Sequence, residues 1–266
     1  MRRSSHATLD VARGWLTVFL SALFLMSPDS VSIVIPAYNE ERRLPPTLDA
    51  LAAWSRSCTR SVELIIVVEP GTDRTGELAT ETAGRQPNLR VITNPDHRGK
   101  GFAVRTGVQA AAGDFIFYMD ADLSVPLREV DTFVEYFHEH PRIDVLFGNR
   151  QHRQSRITQY QSWLRRHMGQ AFNVVLRQLA LIGVRDTQCG FKAFRRAAAQ
   201  AIFARQQIDG FAFDVEVLLL AKRLGLEVTD LPVEWHNSTE SKVRIFRDSL
   251  QMLRDAVRIR RMMGRL

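Results

Sequence analysis

The chain has 266 residues, 45% of them hydrophobic, 24% charged and 9% aromatic, with a formal net charge of +7. That length buries a sizeable core, and the composition excludes a disordered chain, a disulfide scaffold and a collagen-like fibre. Lys242 to Leu266 hold eight basic residues against Asp248 and Asp255, so the excess charge belongs to a C-terminal tail and no nucleic-acid partner is expected.

At the N-terminus, Trp15 to Met26 is apolar and follows Arg2, Arg3 and Arg13. It falls short of the roughly 20 apolar residues that span a bilayer, and Ser27-Pro28-Asp29 is a poor signal-cleavage site. Residues 1–30 therefore read as an apolar extension that forms an interfacial or signal-anchor helix; a frayed extension without a role is the alternative. From Val31 strands and helices alternate. Val31–Pro36 is an apolar β-branched run of the kind buried on both faces of a sheet. Glu41–Trp54 follows as a helix with Leu44, Leu48 and Leu51 on one side. Val62–Val68 is a second strand, and Asp73 and Thr75 open a helix that ends near Gly84. Leu89–Ile92 is a short strand, Gly101–Ala112 a helix stopped by Gly113, Asp114–Met119 a fourth strand and Ile143–Phe147 a fifth. This alternation predicts an α/β fold, a doubly wound, mostly parallel sheet. Cys58 and Cys189 sit in no metal-ligand spacing, which points to a reducing compartment.

Ligands of such sheets bind at the carboxyl ends of the strands. After the first strand comes Pro36-Ala37-Tyr38-Asn39-Glu40, and after the second Glu69-Pro70-Gly71-Thr72-Asp73. Asn94 and Arg98-Gly99-Lys100-Gly101 follow the third, and Asp120-Ala121-Asp122 the fourth. No phosphate-loop lysine motif and no GxGxxG follows a strand, against a P-loop NTPase or a Rossmann dehydrogenase. Asp120 and Asp122, one residue apart at a strand end, can turn toward one hard cation, Mg2+ or Mn2+, which would bridge a diphosphate. An acidic loop capping the next helix accounts for the same residues. His97 and His152 have no partner at metal spacing and read as loop histidines.

Taken in order, VSIVIPAYNEE, RGKG, MDADLS, DTQCGFK and the FDVE run of Phe213 to Glu216 resemble inverting glycosyltransferases of the GT-A fold that act on polyprenyl phosphates. The dolichyl-phosphate β-glucosyltransferases are the nearest branch and dolichyl-phosphate mannose synthase is a more distant one. The resemblance runs from Val31 to about Arg258. It implies that Pro36, Tyr38, Glu40, Glu69, Lys100, Asp120, Ala121, Asp122 and Ser124 hold a nucleotide-sugar, with Asp120 and Asp122 on the metal. It further implies that Arg150, Arg165 and Lys242 act with Asp122 in catalysis. Arg150, Arg165, Arg166, Gln188 and Lys192 are expected around the acceptor phosphate. Glu69-Pro70-Gly71 departs from the usual DDGS: the carboxylate is one methylene longer, and Pro70 offers no backbone donor.

The chemistry fits the residue types. A lipid phosphate is already an anionic nucleophile and needs no general base to strip a proton. It needs cations, and between Asn149 and Gln200 ten Lys/Arg stand against the single acid Asp186. Asp214 and Glu216 read equally as orienting groups and as helix-capping acids. In the tail, Phe246, Leu250, Leu253, Val257, Met262 and Met263 recur at helical spacing among arginines, as in a basic helix lying on a membrane surface; a terminal helix packed on the domain is the alternative. Ala171–Ile182 reads as a buried helix.

The chain is thus divided into the extension, a GT-A domain over 31–240 and a basic amphipathic helix over 241–266. It is expected to work at the cytoplasmic face of a membrane, peripherally or singly anchored by its N-terminus. The expected reaction is transfer of a hexose, glucose first, from a UDP-sugar to a polyprenyl phosphate. A GDP-mannose-dependent mannosyltransferase and a non-catalytic nucleotide- or lipid-binding protein remain as alternatives.

Overall fold

The computed structural model describes residues 29–157, 186–236 and 254–262, the last without residue 256. In chain order the elements are β1 (Val31–Ala37), α1 (Leu44–Ser57), β2 (Val62–Val68), α2 (Thr75–Ala83), β3 (Leu89–Thr93), α3 (Lys100–Ala110), β4 (Phe115–Met119), α4 (Arg128–Glu139), β5 (Val145–Asn149) and β6 (Arg156–Ile157). After the next undescribed segment come β7 (Phe191–Arg195), α5 (Arg196–Phe203), α6 (Phe213–Arg223), β8 (Val228–Pro232) and β9 (Glu234–Trp235). A seven-stranded sheet runs in the order β3-β2-β1-β4-β7-β5-β8, and β6 pairs with β9 in a small second sheet. The β1–β2, β2–β3, β1–β4 and β5–β8 pairs are parallel, and β7 alone runs antiparallel to its neighbours β4 and β5. The expected mostly parallel α/β sheet is what forms.

Two cores lie on its two faces, as period-two strands require. Ile33 and Ile35 of β1 pack with Leu44, Leu48 and Leu51 of α1 and Phe133 and Phe137 of α4. Val34 points the other way, into a core with Val104 and Val108 of α3 and Phe213 and Val217 of α6.

Several boundaries moved. The first helix begins at Leu44 rather than Glu41, because the Arg43 amide closes a turn onto Glu40 O and Pro45 and Pro46 fill the opening helical positions. The third helix ends at Ala110, with Ala111 already extended, instead of running on to Ala112. The fifth strand starts at Val145, since Ile143 still closes a turn onto His140 O.

Ala171–Ile182 and Trp15–Met26 lie outside the described residues, as do Phe246, Leu250, Leu253 and Met263 of the tail. Within 257–262 the helix buries Ile259 completely and leaves Val257 37% exposed. Among the described residues no helix is long and apolar enough to cross a membrane.

Candidate active site

The parallel register of β1, β2 and β4 brings their carboxyl ends to one edge, and the loops leaving that edge build the site. The end of β1 holds Pro36, and the loop after it holds exposed Tyr38 and buried Glu40. The Glu40 amide donates to Thr75 Oγ1 at 2.6 Å, pinning the loop to α2. Its carboxylate takes Arg43 Nε and Nη2 at 2.6 and 2.5 Å. Arg43 Nη1 then stands 3.6 Å from Asp122 Oδ2. Burial works against the Arg43 charge, but Glu40, Asp122 and Asp120 outweigh it and raise its pKa. Asn39 sits at φ 54, a left-handed conformation that asparagine tolerates, and its Oδ1 accepts the Thr72 amide at 2.8 Å.

After β2, Glu69 is 2% exposed. Its carboxylate accepts the amides of Arg98 at 3.2 Å and Gly99 at 3.0 Å, and meets His97 Nδ1 at 2.6 Å. The His97 ring lies on Tyr38, centroids 3.8 Å apart and planes 7° apart. His97 was expected to be an isolated loop histidine; it is instead built into the Tyr38–Glu69 corner. Residue spacing carries no signal for this, because the contact depends on two strand ends lying side by side.

The Asp120-Ala121-Asp122 loop is braced on three sides. Thr47 Oγ1 of α1 donates to Ala121 O at 2.6 Å. Asp122 Oδ1 accepts both the amide and the hydroxyl of Ser124, at 3.0 and 2.7 Å. Between them Leu123 is held at φ 47, where a bulky residue is strained. Because β4 and β7 are antiparallel with Met119 opposite Phe191, the next pair outward is Asp120 beside Gly190. A Cβ on Gly190 would fall onto the Asp120 carboxylate, so the glycine of the CGFK turn is what leaves that carboxylate its place. Lys100 Nζ lies 2.5 Å from Asp120 Oδ1. Burial lowers the Lys100 pKa, but Asp120, Asp214 and Asp122 more than compensate and raise it, so the lysine stays charged. Met119, Asp120, Ser124, Val125, Gly190 and Trp235 line a small open cleft.

This donor set fits a hard cation. Asp120 and Asp122 offer carboxylate oxygens, the Asp120 side chain remains 40% exposed, and Gly190 keeps its cradle open. Among the described residues no cluster of three His, Cys, Asp or Glu forms. The remaining ligands would therefore be phosphate oxygens and water, the usual arrangement for Mg2+.

Beyond the cleft, Asp186 is fully buried and accepts Arg150 Nε and Nη2, both at 2.8 Å, and the Arg150 amide at 3.0 Å. Burial pushes the Asp186 carboxyl up, but the Arg150 charge and hydrogen bonds outweigh it and hold it below the ordinary range. Arg150 keeps a quarter of its side chain exposed. Gln188 is part-buried, and its Nε2 has no partner among the described residues.

Lys192, expected at the acceptor phosphate, is fully buried. Its ammonium donates to Thr187 O at 3.1 Å, Cys189 O at 2.8 Å and Asp214 Oδ1 at 2.5 Å, using its three protons inside the fold. Tyr118 donates to the same Asp214 oxygen at 2.5 Å. Strand alternation explains the placement: Phe191 and Ala193 face one core and Lys192 the other, in the middle of the sheet. Glu216 is likewise internal and accepts the amides of Gln207 and Ile208 at 2.9 and 2.8 Å, with burial raising its pKa. It thereby fixes the loop whose Asp209 O receives the Phe102 amide and abuts Gly99, so the RGKG turn is seated from below. The buried Cys189 thiol is pushed up to about 12 by burial, with no nucleophilic character. Arg165, Arg166 and Lys242 lie outside the described residues.

Residues 32–203 match the family model for glycosyl transferase family 2. The chain is 33% identical to the dolichyl-phosphate β-glucosyltransferase of Dictyostelium discoideum over 265 residues, 95% of this chain and 81% of that one. It is 31% identical to the human dolichyl-phosphate β-glucosyltransferase over 241 residues, 86% of this chain and 74% of that one. Among solved structures it superposes on glucosyl-3-phosphoglycerate synthase of Mycobacterium tuberculosis in complex with Mn2+, UDP-glucose and phosphoglyceric acid, with a TM-score of 0.64, 18% identity and coverage of 90% and 81% of the two chains. Mannosyl-3-phosphoglycerate synthase of Rubrobacter xylanophilus superposes with a TM-score of 0.65, 20% identity and coverage of 90% and 76%. At those identities the structural likeness is one of fold.

Proposed function

The chain belongs to glycosyl transferase family 2, and from that membership we propose that it is an inverting glucosyltransferase moving glucose from UDP-glucose to a dolichyl-type polyprenyl phosphate. The observation that carries the proposal is the meeting of the Asp120-Ala121-Asp122 loop with the Gly190 turn and Lys100. That meeting sets a carboxylate pair and a charged amine at the strand edge, within residues 32–203 that match the family model.

Asp120 and Asp122 would hold Mg2+ or Mn2+, which supplies charge neutralisation for the departing diphosphate. Lys100, the Arg43 guanidinium and the Ser124 corner fix the orientation of those carboxylates. Pro36, Tyr38, Glu40 and Glu69 shape the nucleoside end of the donor site. The acceptor phosphate brings its own anionic oxygen, so the protein's task is to hold two anions together. Arg150, anchored and oriented by Asp186 and lying over the Trp235 ring that lines the cleft, would meet that phosphate, and Gln188 is assigned to it as well. Arg165 and Arg166 are assigned to the same phosphate, and Arg165 and Lys242 to catalysis, on the resemblance of the sequence. Lys192 supports the site from inside through Asp214 rather than by contact. Attack on the anomeric carbon from the face opposite the diphosphate breaks the glycosyl–phosphate bond as the new one forms and inverts the centre.

The lipid acceptor places the work at a membrane. Residues 241–266, with Arg254, Arg258 and Arg261 exposed around Val257, would lie on an anionic surface, each basic residue adding about 1 kcal/mol near it. Residues 1–30 would serve as a single anchor on the cytoplasmic side, leaving 31–240 as the catalytic domain.

The test is product formation on a short polyprenyl phosphate, comparing labelled UDP-glucose with GDP-mannose, with Mg2+ and then with chelator. The proposal expects a β-linked lipid product from UDP-glucose only, lost with chelator and in Asp122→Ala. Transfer from GDP-mannose alone replaces the donor. Nucleotide binding with no lipid product from either donor refutes the acceptor.

A further inference from the structure

The departure at Glu69 has a consequence for how the donor's base is read. A carboxylate offers about four acceptor positions, and the Glu69 carboxylate already meets three donors, the Gly99 amide being shared between its two oxygens. Oε1 takes the Arg98 and Gly99 amides at 3.2 and 3.0 Å, and Oε2 takes Gly99 at 3.1 Å and His97 at 2.6 Å. With only 2% of the residue exposed, Glu69 turns no acceptor outward to a base. Its longer side chain reaches the loop after β3 and is spent there.

The group that remains is His97. Its side chain is 45% exposed, and Nε2 has no partner among the described residues. Because Nδ1 faces a carboxylate, which only accepts, Nδ1 carries the ring proton and Nε2 is an acceptor in the neutral imidazole. The imidazole plane runs 7° from the Tyr38 plane at 3.8 Å. The imidazole itself covers the Tyr38 face, which holds the ring's plane; a base hydrogen-bonded edge-on to Nε2 would lie in that plane, displaced sideways from Tyr38.

We propose that His97 is a specificity-determining residue of the donor site, its Nε2 accepting the imide N–H of a uracil lying in the imidazole plane, with Glu69 fixing the tautomer. This rests on the reading of the protein as a UDP-sugar transferase. Uracil presents a donor at its N3 position and is accepted. Cytosine presents a lone pair there and meets the Nε2 lone pair. Glu69→Gln reverses the polarity: the amide oxygen remains bound to the Arg98 and Gly99 amides and the NH2 donates to Nδ1. The ring proton then moves to Nε2.

The experiment is calorimetric binding of UDP, CDP and GDP to the full chain with Mn2+ at pH 8, for wild type, His97→Ala and Glu69→Gln, with melting curves to confirm folding. Wild type should prefer UDP by about tenfold or more, the equivalent of one hydrogen bond and one avoided repulsion. His97→Ala should bring the UDP-to-CDP ratio near one, and Glu69→Gln should lower or invert it while CDP still binds. A ratio that stays at the wild-type value in either folded variant overturns the proposal, as does a loss of both nucleotides in equal proportion, which marks a merely structural role. If wild type itself prefers GDP and transfers from GDP-mannose, the donor reading fails and the His97 proposal with it. Wild-type preference for UDP with an unchanged ratio in the variants fails His97 alone.

Discussion

Gly190→Ala separates the geometry of the metal loop from the stability of the fold. Gly190 does not adopt a left-handed backbone, so alanine costs nothing in torsion; the penalty is the Cβ, which falls onto all three atoms of the Asp120 carboxyl group. That carboxyl group is the end of a flexible side chain that is 40% exposed, so it can swing aside. The stability cost is therefore about 1 kcal/mol, toward the low end of overpacking penalties. Swinging aside breaks the 2.5 Å Lys100–Asp120 pair and withdraws one of two carboxylates from the proposed cation. Losses of support to a metal ligand run to about 10–100-fold. Glucosyl transfer titrated with Mn2+ should show a right-shifted metal requirement and a rate about 10–100-fold lower, with the melting temperature shifted by a few degrees at most. Since the variant acts through Asp120, Gly190→Ala should add little to Asp120→Ala in a double mutant. Wild-type activity and metal dependence in a folded Gly190→Ala protein would refute the assignment of Asp120.

Four further outcomes follow from the same contacts. Lys192→Met leaves Asp214 as an uncompensated buried charge and should cost about 3–5 kcal/mol in urea unfolding; adding Asp214→Asn should recover part of the loss, and no destabilisation in the single variant would contradict its internal role. Asp186 has a folded pKa held below its unfolded one, so its stabilisation is full above the ordinary carboxylate range and fades as pH falls toward the depressed value. Asp186→Asn should accordingly be less stable than wild type at pH 7, with the gap closing below about pH 4, and a pH-independent gap would rule the linkage out. Arg150→Lys keeps the charge but loses the two-pronged grip on Asp186; activity about tenfold lower or worse is expected in transfer assays, whereas full activity would show that charge alone suffices. Gly99→Ala must adopt φ 124 and press on Asp209 O, so the melting curve should fall and Lys100-dependent turnover with it; a variant as stable as wild type would show that the turn relaxes freely.

Much of the architecture was legible from the chain because it depends on near neighbours. Apolar β-branched runs such as Val31–Pro36 and Val62–Val68 announce strands buried on both faces, and the leucine spacing at 44, 48 and 51 announces the helix that covers them. The loops leaving those strands could then be placed at one edge, which located Tyr38, Glu69, Lys100 and the Asp120–Asp122 pair together. The strand Phe191–Arg195 was not legible as such, since its five residues include a lysine and a terminal arginine and carry no turn signal. Without it the antiparallel register that sets Gly190 against Asp120 could not be drawn.

The sequence by itself determined the fold class, the strand-edge location of the site and the residue types available there, because hydrophobic period and loop chemistry are local properties. Only the tertiary structure decided what each charged group is spent on. Lys192 looked like a phosphate ligand until strand alternation turned it into the core toward Asp214. His97 looked idle until the ends of β2 and β3 brought it within 2.6 Å of Glu69, 28 residues away in the chain. Burial and partnership are settled between segments distant in sequence, and a charge's function follows from whether its hydrogen-bonding capacity is used inside the fold or left over at its edge.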